Sequence, residues 1–263
     1  MDNGLIENIT NNISQSKNYK GIYKPAIQRI VKDLSTKYPA AQLEKNTKKK
    51  LHQIWGAFLI NPKYEKLYED FTKNLQDGIE IKECIKPLLK QQSSTFERLE
   101  YIDEFYKRIF EITGIPKTII EPACGLNPLT YFWMGNDIEY TGYDIDEVSI
   151  NFMNEIFKTA GLDQKVKVKP GDIFLEPAII CDLTFLFKIV PLIEQQQKNT
   201  TLDFLRNVKS KHIAISFPSQ SISGKKTGMR DFYSELFTKQ VSEEKWKIEK
   251  LIFAKETVFV VTK

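Results

Sequence analysis

Two hydrophobic rhythms divide the chain. From about residue 10 to residue 90, apolar side chains recur at three- and four-residue intervals, the spacing of a helix face. In KKKLHQIWGAFLI the set Leu51, Ile54, Trp55 and Phe58 lies on one such face. The lysines before it fall at the expected helix start, where cations oppose the helix dipole, so they are not placed there for helix stability. Asn61-Pro62 closes that segment, and Tyr64 to Leu89 continues in helical rhythm with a break at Asp77-Gly78. In SSTFERLEYIDEFYKRIF, Ser94 and Glu97 form an S-x-x-E capping box that opens a further helix. Its stripe is Leu99, Ile102, Phe105 or Tyr106, and Ile109, with Arg98 in the first turn, and Gly114-Ile115-Pro116 ends it.

Beyond Lys117 the pattern changes to strand-like runs separated by helical stretches. The strand candidates are Lys117 to Glu121, Glu139 to Tyr143, Lys165 to Lys169, Cys181 to Phe187 and His212 to Phe217, with helices expected at Glu147 to Thr159 and Ile193 to Val208. Such alternation predicts a mostly parallel sheet covered on both faces. Trp246 to Ala254 and Thr257 to Thr262 read as a closing hairpin, which makes the last strand antiparallel. The expected organisation is a helical domain over residues 1–92 followed by a Rossmann-like α/β domain over 93–263.

At 263 residues and 41% hydrophobic composition the chain can bury a large core. No apolar run approaches the roughly 18 residues of a membrane helix, and MDNGLIENITNNISQSK lacks a signal peptide's apolar centre, so a cytoplasmic protein is expected. Cys84, Cys124 and Cys181 are far apart, and the only histidines are His52 and His212, which suggests neither a disulfide framework nor a metal site. There is no G-x-S-x-G, so a hydrolytic triad has little support. Charge is uneven: residues 17–50 carry +8 and the remainder −4. A basic lobe joined to a mildly acidic one fits a polyanion partner held by the first and chemistry in the second. The alternative is a solvated lysine-rich surface.

The candidate chemistry centres on IIEPACGLNPLTY, a buried strand that breaks into a loop containing Gly125 and then into a helix. Nineteen residues beyond Gly125, Asp144 ends the second strand, the spacing at which a βαβ unit offers a carboxylate to a ribose. The loop lacks the G-x-G-x-x-G that a dinucleotide pyrophosphate needs, which argues for a nucleoside ligand without pyrophosphate. S-adenosylmethionine fits, with Asp144 on the ribose and Asp172 of KPGDIF near the adenine amine. Asp146 in YDIDEVS is placed to cap the next helix.

Five segments together resemble one family. KKKLHQIWG, SSTFER, CGLNPL, FKIVPLIEQQQ and SFPSQSISGKKTGM, spread over residues 45–262, are similar to the Arm/Rmt aminoglycoside-resistance methyltransferases, which modify N7 of a decoding-site guanine in 16S rRNA. The resemblance implies a class I S-adenosylmethionine-dependent fold with seven strands, acting on the assembled 30S subunit as a monomer. It also implies that Arg98 pairs with the methionine carboxylate, that Ser93 and Ser94 line the approach, and that Ala123 and Gly125 lie under the cofactor. Asp172 and Ile173 would then meet the adenine region, Phe187 and Gln196 would form the opposite wall, and Phe58 would cover the ligand. Lys188 and Glu194 align near the target base. Lys225 and Met229 align with positions that face the rRNA, and Lys48, Lys49 and Lys50 would bind phosphates. Glu121-Pro122 and Gln92 depart from the family pattern and mark a diverged member. Two other readings compete: a methyltransferase of another RNA or a small molecule, and a catalytically silent RNA-binding protein that keeps the fold.

Overall fold

The computed structural model describes residues 3–56, 62–135, 137–197, 199–219 and 229–263. Helices α1 (Asn3–Gln15), α2 (Lys24–Ser35) and α3 (Ala40–Leu51) gather Ile6, Ile9, Ile13, Ile27, Ile30, Val31, Leu43 and Leu51 into an apolar cluster of their own. Helices α4 (Tyr64–Gln76) and α5 (Ile81–Leu89) instead bury Phe71, Cys84, Ile85, Leu88 and Leu89 in the same cluster as the sheet. Within residues 1–92, α1–α3 thus pack among themselves while α4 and α5 pack toward the sheet.

Lys48, Lys49 and Lys50 stand in the last turn of α3, not at a helix start, and the chain continues as one π turn over His52–Gly56. Cations at a C-terminal turn complement the dipole by a few tenths of a kcal/mol, so the expected conflict with helix stability is absent. Phe58 lies outside the described residues.

The expected single helix after Gln92 is interrupted: α6 (Ser93–Arg98) passes through a 3-10 turn at Leu99–Tyr101 into α7 (Ile102–Thr113). Arg98 is thus in the last turn of α6. Gln92 occupies the cap position and makes no side-chain cap bond, so the Ser94/Glu97 capping box does not form. Glu97 instead accepts a hydrogen bond from Lys188 Nζ at 2.6 Å.

Seven strands, β1 (Thr118–Pro122), β2 (Glu139–Asp144), β3 (Val166–Pro170), β4 (Cys181–Phe187), β5 (Ser210–Pro218), β6 (Lys247–Ile252) and β7 (Glu256–Thr262), form one sheet in the order β3-β2-β1-β4-β5-β7-β6. The pairings among β1 to β5 are parallel, and β7 runs antiparallel to both of its neighbours. Inner strands β4 and β5 are buried almost continuously, as a sheet covered on both faces requires. Helix α8 (Glu147–Thr159) starts where Asp146 Oδ1 accepts the Val148 and Ser149 amides, and it buries Ile150, Met153, Ile156 and Phe157.

The helix expected from Ile193 to Val208 is two: α9 (Val190–Gln196) and α10 (Thr201–Asn207). Asn199, at φ +60°, turns the chain between them. The Glu194 carboxylate accepts the Asn199 and Thr201 amides at 2.8 and 3.1 Å and the Thr201 hydroxyl as well. Helix α11 (Met229–Gln240) precedes the closing hairpin. No helix among the described residues is long and apolar enough to cross a membrane.

Candidate functional site

After β1 the chain moves outward to β2 and β3, then returns past β1 to add β4 on the other side. Neighbouring loops therefore leave the carboxyl ends of β1 and β4 in opposite directions and open a crevice there, the place where α/β sheets bind ligands. A cavity of about 590 Å³ occupies it. Its lining includes Ser93, Ser94, Arg98, Ala123, Gly125, Asp144, Asp172, Ile173, Phe187, Lys188 and Gln196, residues from six separate segments. Of the expected site residues, Glu194 is not part of this lining, because its carboxylate holds the α9–α10 turn. Lys225 lies outside the described residues, as does most of SFPSQSISGKKTGM, and Met229 begins α11.

The loop after β1 is held from two sides. Gly125 adopts φ +51°, and a Cβ there would run into the Gln92 side-chain amide. The Gln92 Oε1 accepts the Leu126 amide at 2.7 Å, while Gly125 N–H donates to Asp144 Oδ2 at 2.8 Å. Ala123 also sits at positive φ, +52°. The left-handed backbone aims the loop into the crevice, and Gln92 is its brace. Asp144 Oδ1 accepts the Asp146 amide at 3.1 Å, which leaves lone pairs on both carboxylate oxygens for a ligand.

Arg98 is 1% exposed and its guanidinium packs on the rings of Phe105 and Phe187, 4.4 and 4.7 Å from their centroids. Nε and Nη2 donate to Glu256 at 2.8 and 2.9 Å, and Nη1 donates to Asn127 Oδ1. Asn127 Nδ2 in turn donates to both oxygens of Glu121, which also accepts the Tyr140 hydroxyl. Sequence reasoning missed Glu256, 158 positions from Arg98. The available signal was one acidic residue opening the otherwise apolar run ETVFVV. It also missed Arg29 of α2, whose Nε donates to Asp172 Oδ2 at 2.8 Å. Its signal was a lone arginine among the lysines of residues 17–50.

Burial pushes the Glu121 carboxyl up to about 7, against the lowering effect of the Tyr140 and Asn127 hydrogen bonds. Asp144 is likewise raised by burial to about 6. An acid with a raised pKa holds its proton in the fold where the unfolded chain has lost it. Its contribution therefore falls as pH rises from the ordinary value of 4.5 toward 7, and is constant above. His212, whose imidazole burial pushes below its ordinary value, works in the opposite direction, so the informative quantity is a difference. The stability of the wild type relative to Glu121→Gln should decline between about pH 4.5 and 7 in chemical denaturation. A difference that grows with pH in that window would refute the buried, protonated Glu121.

The chain matches the family model described as ribosomal RNA methyltransferase (FmrO) over residues 15–261. It is 32% identical over 278 residues to a 16S rRNA (guanine(1405)-N(7))-methyltransferase of Proteus mirabilis, covering 100% of this chain and 99% of that one. A protein of the same name from Micromonospora rosea is 29% identical over 270 residues, covering 98% and 97%. Among solved structures, the 16S rRNA methyltransferase RmtF in complex with S-adenosyl-L-homocysteine shares the fold at a TM-score of 0.84 and 24% identity, covering 100% of this chain and 99% of that one. With a family model spanning nearly its whole length, the chain belongs to the FmrO family of ribosomal RNA methyltransferases.

Proposed function

We propose that this protein transfers a methyl group from S-adenosylmethionine to N7 of guanine 1405 in 16S rRNA, the reaction named for its relatives. The observation that carries the reading is Asp144: a carboxylate at the end of β2, tied to Gly125 of the facing loop, with lone pairs open to the cavity. A nucleoside ribose is the ligand such a group recognises. The rest of the lining suits the same molecule, since one left-handed glycine replaces a pyrophosphate loop and Ile173 and Phe187 offer apolar faces.

Asp144 would hold the ribose hydroxyls, Asp172 and Ile173 the adenine region, and Ala123 and Gly125 the floor beneath. Phe187 and Gln196 would close the opposite side. Arg98 gives three of its five N–H groups to Glu256 and Asn127, so two remain for the ligand's carboxylate beside Ser93 and Ser94. When bound, S-adenosylmethionine supplies an electrophilic methyl group. Guanine N7 has an in-plane lone pair and no proton to lose, so the protein needs no general base. Its task is orientation, which can contribute up to about 7–11 kcal/mol to rate acceleration. Lys188, which lines the cavity and pairs with Glu97, would meet the incoming base.

The natural substrate is the assembled 30S subunit, bound by a monomer in the cytoplasm. The basic lobe lies beside the cavity, and its Arg29 is part of the lining. Methylation there would give the cell aminoglycoside resistance. In this reading Lys225 and Met229 also contact the rRNA. Replacing Lys48, Lys49 and Lys50 with glutamine should weaken 30S binding and flatten its salt dependence by roughly 0.7–0.9 in log–log slope per lost phosphate contact. An unchanged slope would make them ordinary solvated charges. Incubating the protein with methyl-labelled S-adenosylmethionine and intact 30S subunits, naked 16S rRNA or a metabolite extract tests the substrate class. Label should enter the subunits, and label confined to the metabolites would overturn the reading.

A further inference from the structure

One side chain of the basic lobe crosses into the cavity wall. Arg29 leaves α2, and its side chain is 11% exposed. Nε donates to Asp172 Oδ2 and Nη2 to Gln196 Oε1, both at 2.8 Å, while Nη1 donates to Asp33 at 3.1 Å. The guanidinium carbon stands 4.6 Å from the centroid of the Phe174 ring. Asp172 is 2% exposed, and its other oxygen accepts the Phe174 amide at 2.9 Å. A planar fork with several fixed donors can hold two acceptors and stack on a ring at once, which a lysine ammonium cannot.

The lobe makes further bonds to the same region. Lys50 Nζ donates to the Gln195 carbonyl at 2.7 Å. Tyr23 N–H donates to the Ile145 carbonyl, and Glu147 N–H to the Gly21 carbonyl, both at 2.8 Å and close to Asp144. The α1–α3 lobe is thus bonded to the three parts of the wall that carry Asp144, Asp172 and Gln196.

We propose that Arg29 is a positioning residue that couples the RNA-facing lobe to the cofactor: it sets Asp172 and Gln196, so that the lobe's placement and the cavity's occupancy depend on each other. The inference rests on the cofactor reading above. Any displacement of α2 when the lobe meets its polyanion is carried through the fork to Asp172 and Gln196. By linkage, a ligand that fixes those two residues changes the lobe's affinity for RNA by the same factor.

The test uses the full chain and S-adenosylhomocysteine as probe. Calorimetry measures its affinity for the wild type, Arg29→Ala and Arg29→Lys, and 30S binding is measured with and without the probe. Arg29→Ala should lose about 5- to 150-fold in probe affinity, the usual range of coupling, and Arg29→Lys should lose less. The probe should alter 30S affinity for the wild type and leave that of Arg29→Ala unchanged, an outcome that loosened packing alone would not produce. If Arg29→Ala does not fold, Arg29→Lys carries the test. A folded variant whose probe affinity stays within about twofold of wild type, or whose 30S binding responds to the probe as the wild type's does, overturns the proposal. A wild type that binds no probe would instead contradict the cofactor reading itself.

Discussion

Replacing Glu256 with alanine should destabilise the fold by about 3–5 kcal/mol, the cost of leaving a buried charge without its partner. Glu256 is 0% exposed and accepts two hydrogen bonds from Arg98, which is 1% exposed. The Tyr101 hydroxyl donates to it as well, at 3.1 Å. Burial alone would raise its carboxyl, but the Arg98 guanidinium overrides this and holds it below the ordinary carboxylate range. Its contribution is therefore present at neutral pH and is lost as pH falls below that range, opposite to Glu121. Without Glu256 the guanidinium would remain packed on two phenylalanine rings with no counter-charge. The expected fall in melting temperature is about 6–20 °C for a chain of this size. Arg98→Leu combined with Glu256→Leu should cost less than the sum of the single changes, because the double variant leaves no orphan charge. A Glu256→Ala protein as stable as the wild type in urea would mean that the pair is not closed off from water.

The second large effect concerns binding. Asp144→Ala should weaken S-adenosylmethionine affinity by about 10- to 100-fold, as expected for losing hydrogen bonds to a charged acceptor worth about 1.5–3 kcal/mol. It also frees the Gly125 amide that Asp144 holds at 2.8 Å, so the loop after β1 loses one of its supports. Asp144→Asn keeps an acceptor for that amide and should retain more affinity than alanine does. Calorimetry that finds all three proteins equal would remove Asp144 from the ligand's contacts.

Much of the α/β region was legible because its signals are local. Glu147–Thr159 begins at its Asp146 cap and follows its apolar stripe, and the seven strands fall within a few residues of their hydrophobic runs. The crevice at the ends of β1 and β2 was legible for the same reason, since Gly125 and Asp144 lie on the two turns that the βαβ unit brings together.

What sequence spacing did not show depends on contacts between distant segments. S-x-x-E is a local capping pattern, yet Glu97 is drawn to Lys188, 91 positions away, and Thr95 bonds back to the Leu89 carbonyl at 2.6 Å. The α9–α10 break follows from one glutamate folding back on the turn that succeeds its own helix. Helical rhythm reports which face is apolar and not what that face meets. Helices α4 and α5 bury theirs against the sheet. Arg29 and Glu256 escaped because their partners are 143 and 158 positions away.

In the proposed function, a class I methyltransferase core and a basic lobe act together on one nucleotide of the small subunit. Its most direct test is to map the modified base by primer extension and mass spectrometry, using 16S rRNA from 30S subunits treated with the purified protein and S-adenosylmethionine. A single methyl group is expected on N7 of guanine 1405, with less of it when Asp144→Ala is used at S-adenosylmethionine concentrations below saturation. Methylation at a different nucleotide, at a different atom of that guanine, or nowhere on the subunit would contradict it.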